Sequence, residues 1–140
     1  MHRRIFLLSL AGLPAICADP PVTSIRGRLD VTKPVLQLEN QQVVALEGDK
    51  DTMGVLRDKR LDGSIMELRG KFTGTGTFKV DPIHTHAMHV HKDGKELFVT
   101  YWCDVCYIRT YTPGICWCCQ KYTELDLRET LDPADASGGQ

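Results

Sequence analysis

Five of the six cysteines in this 140-residue chain lie close together near its C-terminal end. They form two C-x2-C pairs, Cys103 with Cys106 and Cys116 with Cys119, and Cys118 is a further thiol inside the second pair. A C-x2-C turn lets two thiolates point at one centre, and two such turns brought together make a tetrahedral site of four sulfurs. A Thr-Pro-Gly sequence between the pairs predicts the chain reversal that this requires. The spacing therefore predicts a Zn2+ site with these four cysteines as ligands.

Other uses of the same thiols stay open at this stage. Disulfides are one alternative, because exported proteins meet oxidising conditions. Cu+ is an alternative ion, because it favours thiolates and Cys118 adds a thiol to the set. A thiol–disulfide oxidoreductase is a third, since the run Trp102-Cys103-Asp104-Val105-Cys106 follows a predicted strand. Too few residues follow that run for a thioredoxin-like fold, so metal binding is the preferred interpretation.

Four histidines lie between His84 and His91, in the first strand of a predicted β-hairpin. The hairpin turn is Asp93-Gly94, because both central residues of a type I′ turn need positive φ. The register that this turn sets places His84 opposite Cys103. His84, together with the surplus thiol of Cys118, is therefore a possible additional metal ligand.

The remaining histidines of this run are expected to be structural. Residues two apart in a strand share a face, so His89 and His91 point the same way, and both are expected to be solvent-exposed, with His91 near Glu96. His86 is expected to be half-buried beside Tyr101. No Ser-His-Asp set, phosphate-binding loop or pair of catalytic carboxylates can be argued from the sequence, so a non-enzymatic function is expected.

The scaffold for these residues is expected to be mainly β. Residues 19–83 form short runs with the period-two alternation of strands, separated by turns. Three strands, a short helix that Asp51 can cap, and two further strands are predicted, which is the element order of a small OB-like barrel. The predicted core of this barrel consists of Leu29, Leu38, Val44, Leu68, Phe72 and Phe78.

The barrel is expected to be followed by a β-hairpin and a cysteine-rich metal-knuckle module, which together make up residues 84–131. Within that module, Thr123 with Asp126 resembles a helix capping box. Residues 132–140 are small and polar and are predicted to be a flexible tail.

Residues 1–18 are predicted to be a signal peptide. Arg3 and Arg4 give a positive start, an apolar stretch too short to span a bilayer follows, and small residues lie at the expected cleavage position after Cys17 or Ala18. Lipid attachment at Cys17 is less favoured, because bulky Ile16 precedes it. The sequence therefore predicts a periplasmic or secreted protein that does not insert into the membrane after cleavage.

The charge composition argues against nucleic acid as a partner. Lys and Arg number 17, Asp and Glu number 18, and the formal net charge is −1. Nucleic-acid binding without base readout depends on a basic excess. An as yet unidentified protein is therefore the expected partner.

The run YWCDVC at 101–106, with PGICWCCQ at 113–120, is similar to a C-terminal module of exported bacterial proteins to which no activity is assigned. The resemblance also includes residues 54–58 and 82–85. It implies a protein of that build, with a zinc-ribbon-like or knuckle-like cysteine module. The expected function is therefore an exported, non-enzymatic metal-binding module that presents an interaction surface. Copper handling and thiol–disulfide exchange are the alternatives.

Overall fold

The fold is taken from a computed structural model, which describes residue 12 and residues 22–131. The predicted signal peptide, apart from Gly12, and the predicted tail at 132–140 lie outside the described residues. In chain order the strands and the α-helix are β1 (Thr23–Asp30), β2 (Val35–Leu38), β3 (Val43–Glu47), α1 (Lys50–Leu56), β4 (Ile65–Gly74), β5 (Thr77–Val80), β6 (Met88–Lys92), β7 (Lys95–Cys103), β8 (Ile108–Thr110) and β9 (Glu124–Arg128). Single 3₁₀ turns lie at Lys59–Leu61 and Ile83–Thr85.

The first five strands close into a small barrel. β1 pairs antiparallel with β2, and β2 with β3. β3 then pairs in parallel with β5, β5 antiparallel with β4, and β4 antiparallel with β1, which closes the ring. α1 lies between β3 and β4 in the chain. The mainly β class and the OB-like barrel predicted from the sequence are therefore confirmed.

Two glycines allow the barrel strands to pack closely. A Cβ on Gly27 would overlap the backbone carbonyl of Gln37, and one on Gly70 would overlap the carbonyl oxygen of Lys79. In contrast, a Cβ on Gly74 of the same strand β4 would meet no heavy atom within 4 Å. Gly70 is thus required by the close approach of β5, whereas Gly74 is not.

We expect Gly70→Ala to lower the free energy of unfolding by about 2–3 kcal/mol, because a rigid backbone carbonyl cannot move aside without strain. Gly74→Ala is the matched control in the same strand, and its effect should stay within about 0.5 kcal/mol. Urea denaturation of the two variants measures both values. Equal stability of the two variants would show that the barrel is looser at this position than the structure indicates.

The N-cap of the helix lies two residues earlier than predicted. It is Asp49 rather than Asp51, since the Asp49 carboxylate accepts a hydrogen bond from the Thr52 amide at 2.8 Å. That bond satisfies an amide of the first turn and lowers the pKa of Asp49. Asp51 instead lies in the first turn, where its charge suits the helix dipole.

The core of the barrel contains most of the residues predicted for it. Leu29, Val44, Leu68 and Phe78 are buried, and Leu38 is partly buried against them. Phe72 was expected in this core, and that prediction is wrong, because its side chain is 47% exposed. From Lys71 onward β4 extends past the core, and the Phe72 ring covers Phe78 from outside in an edge-on contact at 5.0 Å.

The later strands continue the barrel's sheet. β4 also pairs with β6, β6 with β7, and β7 with both β8 and β9. Met88, Val90, Val99 and Tyr101 belong to the same buried cluster as the barrel core. The division into a barrel over 19–83 and a module over 84–131 stays a prediction, but the two segments share one hydrophobic core.

The hairpin has the predicted turn, but not the full predicted register. Asp93 and Gly94 have φ of 53° and 75°, and His91 lies opposite Glu96. The pairing with β7 does not extend to the residues before β6, however, because that part of the chain leaves the sheet in the 3₁₀ turn at Ile83–Thr85. β8 occupies the place beside Cys103 instead. The prediction that His84 lies opposite Cys103 is therefore wrong.

Three further expectations about the histidines are corrected by the sheet. His91 was expected to be solvent-exposed, but its side chain is only 16% exposed beside Glu67. His89 was expected to be exposed but is only 3% exposed, because the Phe98 ring packs against it at 4.9 Å. His86 was expected to be half-buried but is exposed, with a φ of 52° that takes it out of the strand. A strand pattern gives the face on which a side chain lies, whereas the neighbouring strands decide how far it is covered.

The segment with the helix-like capping pair is a strand. β9 pairs with β7 along its whole length, and the Thr123 hydroxyl donates to the Gly114 carbonyl instead of capping a helix. Within the described part of the chain, no helix has the length and apolarity needed to cross a membrane.

Candidate metal centre

The first cysteine pair lies on a tight turn at the end of β7. Cys103 is the last residue of that strand, and β8 begins at Ile108. In the turn, the Cys106 amide faces the Cys103 sulfur at 3.4 Å, and the Tyr107 amide donates to the Cys103 carbonyl at 2.9 Å. Tyr107 closes the turn with a φ of 54°. This geometry directs both sulfurs to the same side of the turn.

The second pair repeats this arrangement. The Gln120 amide donates to the Cys116 carbonyl at 2.8 Å, and Gln120 has a φ of 60°. Tyr107 and Gln120 therefore occupy equivalent left-handed positions directly after each pair, where glycine would be the least strained residue. A bridge between Ile115 and Tyr122 and a hydrogen bond from the Thr123 amide to the Gly114 carbonyl close the base of the second turn.

The four paired cysteines converge. Their sulfur atoms all lie within 4.8 Å of one another, and Cys103 Sγ is 3.5 Å from Cys119 Sγ. A tetrahedral zinc ion with metal–sulfur bonds of about 2.3 Å separates its sulfurs by about 3.8 Å. The arrangement is thus compatible with metal binding by Cys103, Cys106, Cys116 and Cys119.

The cluster is buried on one side and open on the other. Cys103 and Cys116 are 1% and 2% exposed, whereas Cys106 and Cys119 are partly exposed. Cys118 is exposed and is not a member of the four-sulfur group. Its thiol nevertheless lies close enough to interact with the thiol of Cys106.

The sulfurs differ in their ease of ionisation. The backbone amides of Cys119 and then Cys118 lower the pKa of Cys116 to about 7. The thiol of Cys118 and then burial raise the pKa of Cys106 well above its usual range. The Cys106 amide favours the thiolate of Cys103, but burial and the neighbouring thiols outweigh it, so the pKa of Cys103 is raised. A thiolate therefore forms more readily at Cys116 than at Cys103 or Cys106, and a cation bound by the sulfurs would favour ionisation of those two thiols as well.

The two additional ligand candidates lie in different places. Cys118 is next to the cluster, as described above. His84 is in the 3₁₀ turn at Ile83–Thr85, near Asp49 at the N-terminus of α1. It is not among the residues that converge with the cysteines.

Exposed aromatic side chains surround the centre. Tyr107, Trp117 and Tyr122 are 75%, 76% and 82% exposed. Trp102 is partly covered, since the Tyr107 ring lies edge-on to it at 6.1 Å and the guanidinium of Arg109 lies 4.7 Å from its centre.

Sequence reasoning did not identify Arg109, which links the strand after the first cysteine turn to two other strands. Its side chain is 5% exposed, and Nη1 donates to Thr100 Oγ1 at 2.8 Å and to Asp126 Oδ2 at 2.7 Å. These bonds join β8, which follows the first cysteine turn, to β7 and β9. An isolated arginine in a short strand gives no signal of this role in the sequence.

Comparison of the chain with protein-family models, with curated proteins and with solved structures finds no match.

Proposed function

We propose that this chain is an exported, non-enzymatic metal-binding protein in which Cys103, Cys106, Cys116 and Cys119 hold one structural zinc ion. The convergence of four sulfurs from two similar turns carries this proposal. Zinc accepts four thiolates in a tetrahedron, and a site filled by four protein ligands has no open position for a substrate. The amides that face the sulfurs suit thiolates bound to a cation.

The segment around the cysteines depends on such an ion for its structure. Between residues 104 and 122, all of which the structure describes, Arg109 and Cys116 are the only buried side chains. None of these residues belongs to the hydrophobic core. A segment with so little apolar burial has little free energy to offset its loss of conformational entropy. Metal coordination supplies that free energy in small knuckles.

The proposed role of the folded knuckle is to present a surface to a protein partner. Tyr107, Trp117 and Tyr122 project from it, and aromatic residues are enriched in the buried centres of protein interfaces. The location outside the cytoplasm is proposed from the N-terminal sequence. The kinship with the exported proteins of similar build is proposed from residues 54–58, 82–85, 101–106 and 113–120.

The metal content of two serine variants tests the ligand assignment. Protein purified from an exported fraction should contain at least one zinc per chain, bound by the four cysteines and measured by elemental analysis together with a free-thiol count. Cys119→Ser should lose most of this zinc, whereas the neighbouring control Cys118→Ser should keep it. Equal loss from both variants would refute the ligand set, and a thiol count showing disulfides in place of zinc would refute the metal site.

Copper handling is the second candidate, favoured by the surplus thiol of Cys118, which lies near the cluster and raises the pKa of Cys106. Cu+ prefers thiolates and accepts varied coordination numbers, so a fifth thiol at the open side suits an ion that is passed on. In that case Cys118→Ser should weaken Cu+ retention as well. The oxidoreductase alternative gains less, since Cys106 is followed by β8 and not by the helix of thioredoxin-like sites.

A further inference from the structure

A second group of potential ligands lies on the outer face of the sheet where β4, β6 and β7 meet. Glu67 lies opposite His89, and His91 lies opposite Glu96. Residues directly opposite each other on antiparallel strands share a face. The alternate residues Met66, Met88 and Val90 belong to the core, so these four side chains are on the other side of the sheet.

Three of these side chains are close enough to share one ion. Ligand atoms of Glu67, His91 and Glu96 lie within 4.8 Å of one another, and His91 Nε2 is 2.7 Å from Glu67 Oε2. The Ser24 hydroxyl donates to the other oxygen of Glu67 at 2.7 Å, which fixes this carboxylate with Oε2 toward the histidine. In metal sites the ligand side chains are typically held in place by hydrogen bonds from residues that do not bind the metal themselves.

His89 gives an independent indication that a ligand belongs here. It is 3% exposed, and its Nδ1 is buried without a hydrogen bond. This nitrogen lies 3.5 Å from Glu96 Oε1 and so points into the cluster. A buried polar atom without a hydrogen bond is costly, and each such atom in a native protein calls for an explanation. A cation among these residues would give Nδ1 a partner after a small shift of the Glu96 side chain, which is 45% exposed.

We propose that Glu67, His91 and Glu96, with His89 beside them, form a second metal site for a divalent first-row ion of the Zn2+ or Co2+ type. Imidazole and carboxylate ligands suit such ions, whereas the cysteine centre offers soft thiolates. The ion binds the Nε2 lone pair of the neutral His91 imidazole, whose ring proton then lies on Nδ1, and it takes the place of the hydrogen bond to Glu67. The site does not depend on the cysteine centre, because the two have no residue in common.

The guanidinium of Arg69 lies near the proposed site and would repel a cation bound there. Its removal is therefore a test in which binding is expected to become stronger and not weaker. Arg69 Nη2 lies 4.0 Å from Glu96 Oε1, and the Arg69 side chain is 47% exposed. Removal of this charge should strengthen cation binding. A variant that merely disturbed the sheet would weaken it.

The experiment is a titration of full-length protein that already carries one equivalent of zinc, with Co2+ as the probe. We expect a second equivalent to bind with weak visible bands and without the thiolate-to-cobalt charge-transfer band. Glu96→Gln and His91→Ala should each weaken this step at least about tenfold. Arg69→Gln should tighten it. Two exposed residues outside the cluster give the controls, His84→Ala and Glu39→Gln, which should bind as the wild type does.

The outcomes separate the two sites. A second equivalent that is absent, or that persists unchanged in both Glu96→Gln and His91→Ala, would overturn the proposal. Since Glu96 is partly exposed, its variant tests the site even if His91→Ala fails to fold. A thiolate charge-transfer band would show that cobalt has entered the cysteine centre, so cobalt bound there is distinguished from cobalt bound at the histidine–glutamate face.

Discussion

Removal of zinc from the reduced protein by a chelator is expected to unfold residues 104–122 while the barrel strands β1 to β5 stay folded. The reason is the distribution of burial, since this segment contributes nothing to the hydrophobic core. Hydrogen exchange measures the result directly. The amides of Tyr107 and Gln120, which close the two turns, should lose their protection by orders of magnitude. Amides in the β1–β4 ladder should keep theirs.

Cys116→Ser should reproduce this pattern without a chelator, because it removes a buried member of the four-sulfur group. Cys118→Ser should retain wild-type protection in the presence of zinc. Restoring zinc to the chelated protein should restore protection. An exchange pattern that does not change on chelation would contradict a structural role for the ion.

Replacement of Arg109 by Met is expected to lower the free energy of unfolding by about 2–3 kcal/mol. Loss of one partner from a buried pair costs about 3–5 kcal/mol, and the 35% exposure of Asp126 moderates that cost through solvent screening. The methionine keeps much of the apolar contact with Trp102 but donates no hydrogen bond to Thr100. Urea denaturation of the zinc-loaded protein measures the loss.

The matched control is Lys95→Met, which breaks the exposed ion pair between Lys95 and Glu129. Exposed pairs contribute about 0–1 kcal/mol, so this variant should be nearly as stable as the wild type. Similar losses from both variants would mean that Arg109 is not the link that the structure shows between β7, β8 and β9.

Regular patterns in the chain allowed the barrel and the cysteine cluster to be predicted. Alternating residues in β1 and the glycine-containing turns predicted the order of strands and helix along the chain, and the C-x2-C spacing predicted the convergence of sulfurs. Both signals are local, because the spacing of side chains in a strand or a turn is set by the backbone alone.

The errors arose where distant segments decide the outcome. His84 was displaced from Cys103 because β8, from later in the chain, occupies that edge of β7. His89 is covered by Phe98 of the neighbouring strand, and Phe72 extends beyond the end of the core. Arg109 finds its partners on two other strands. The residue pattern of a single segment does not predict such contacts with distant segments.

Closure of the barrel also has a consequence for the order of events during folding. The sealing ladder joins β1 to β4, with Ile25 opposite Leu68, and β3 meets β5 across the intervening helix. Such distant pairings form slowly, in milliseconds to seconds, whereas a two-residue hairpin such as β6–β7 forms in microseconds. Ser24 reaches Glu67 only after the sealing ladder exists. The cysteine turns need no such closure, so during refolding they are ready for metal well before the histidine–glutamate face is assembled.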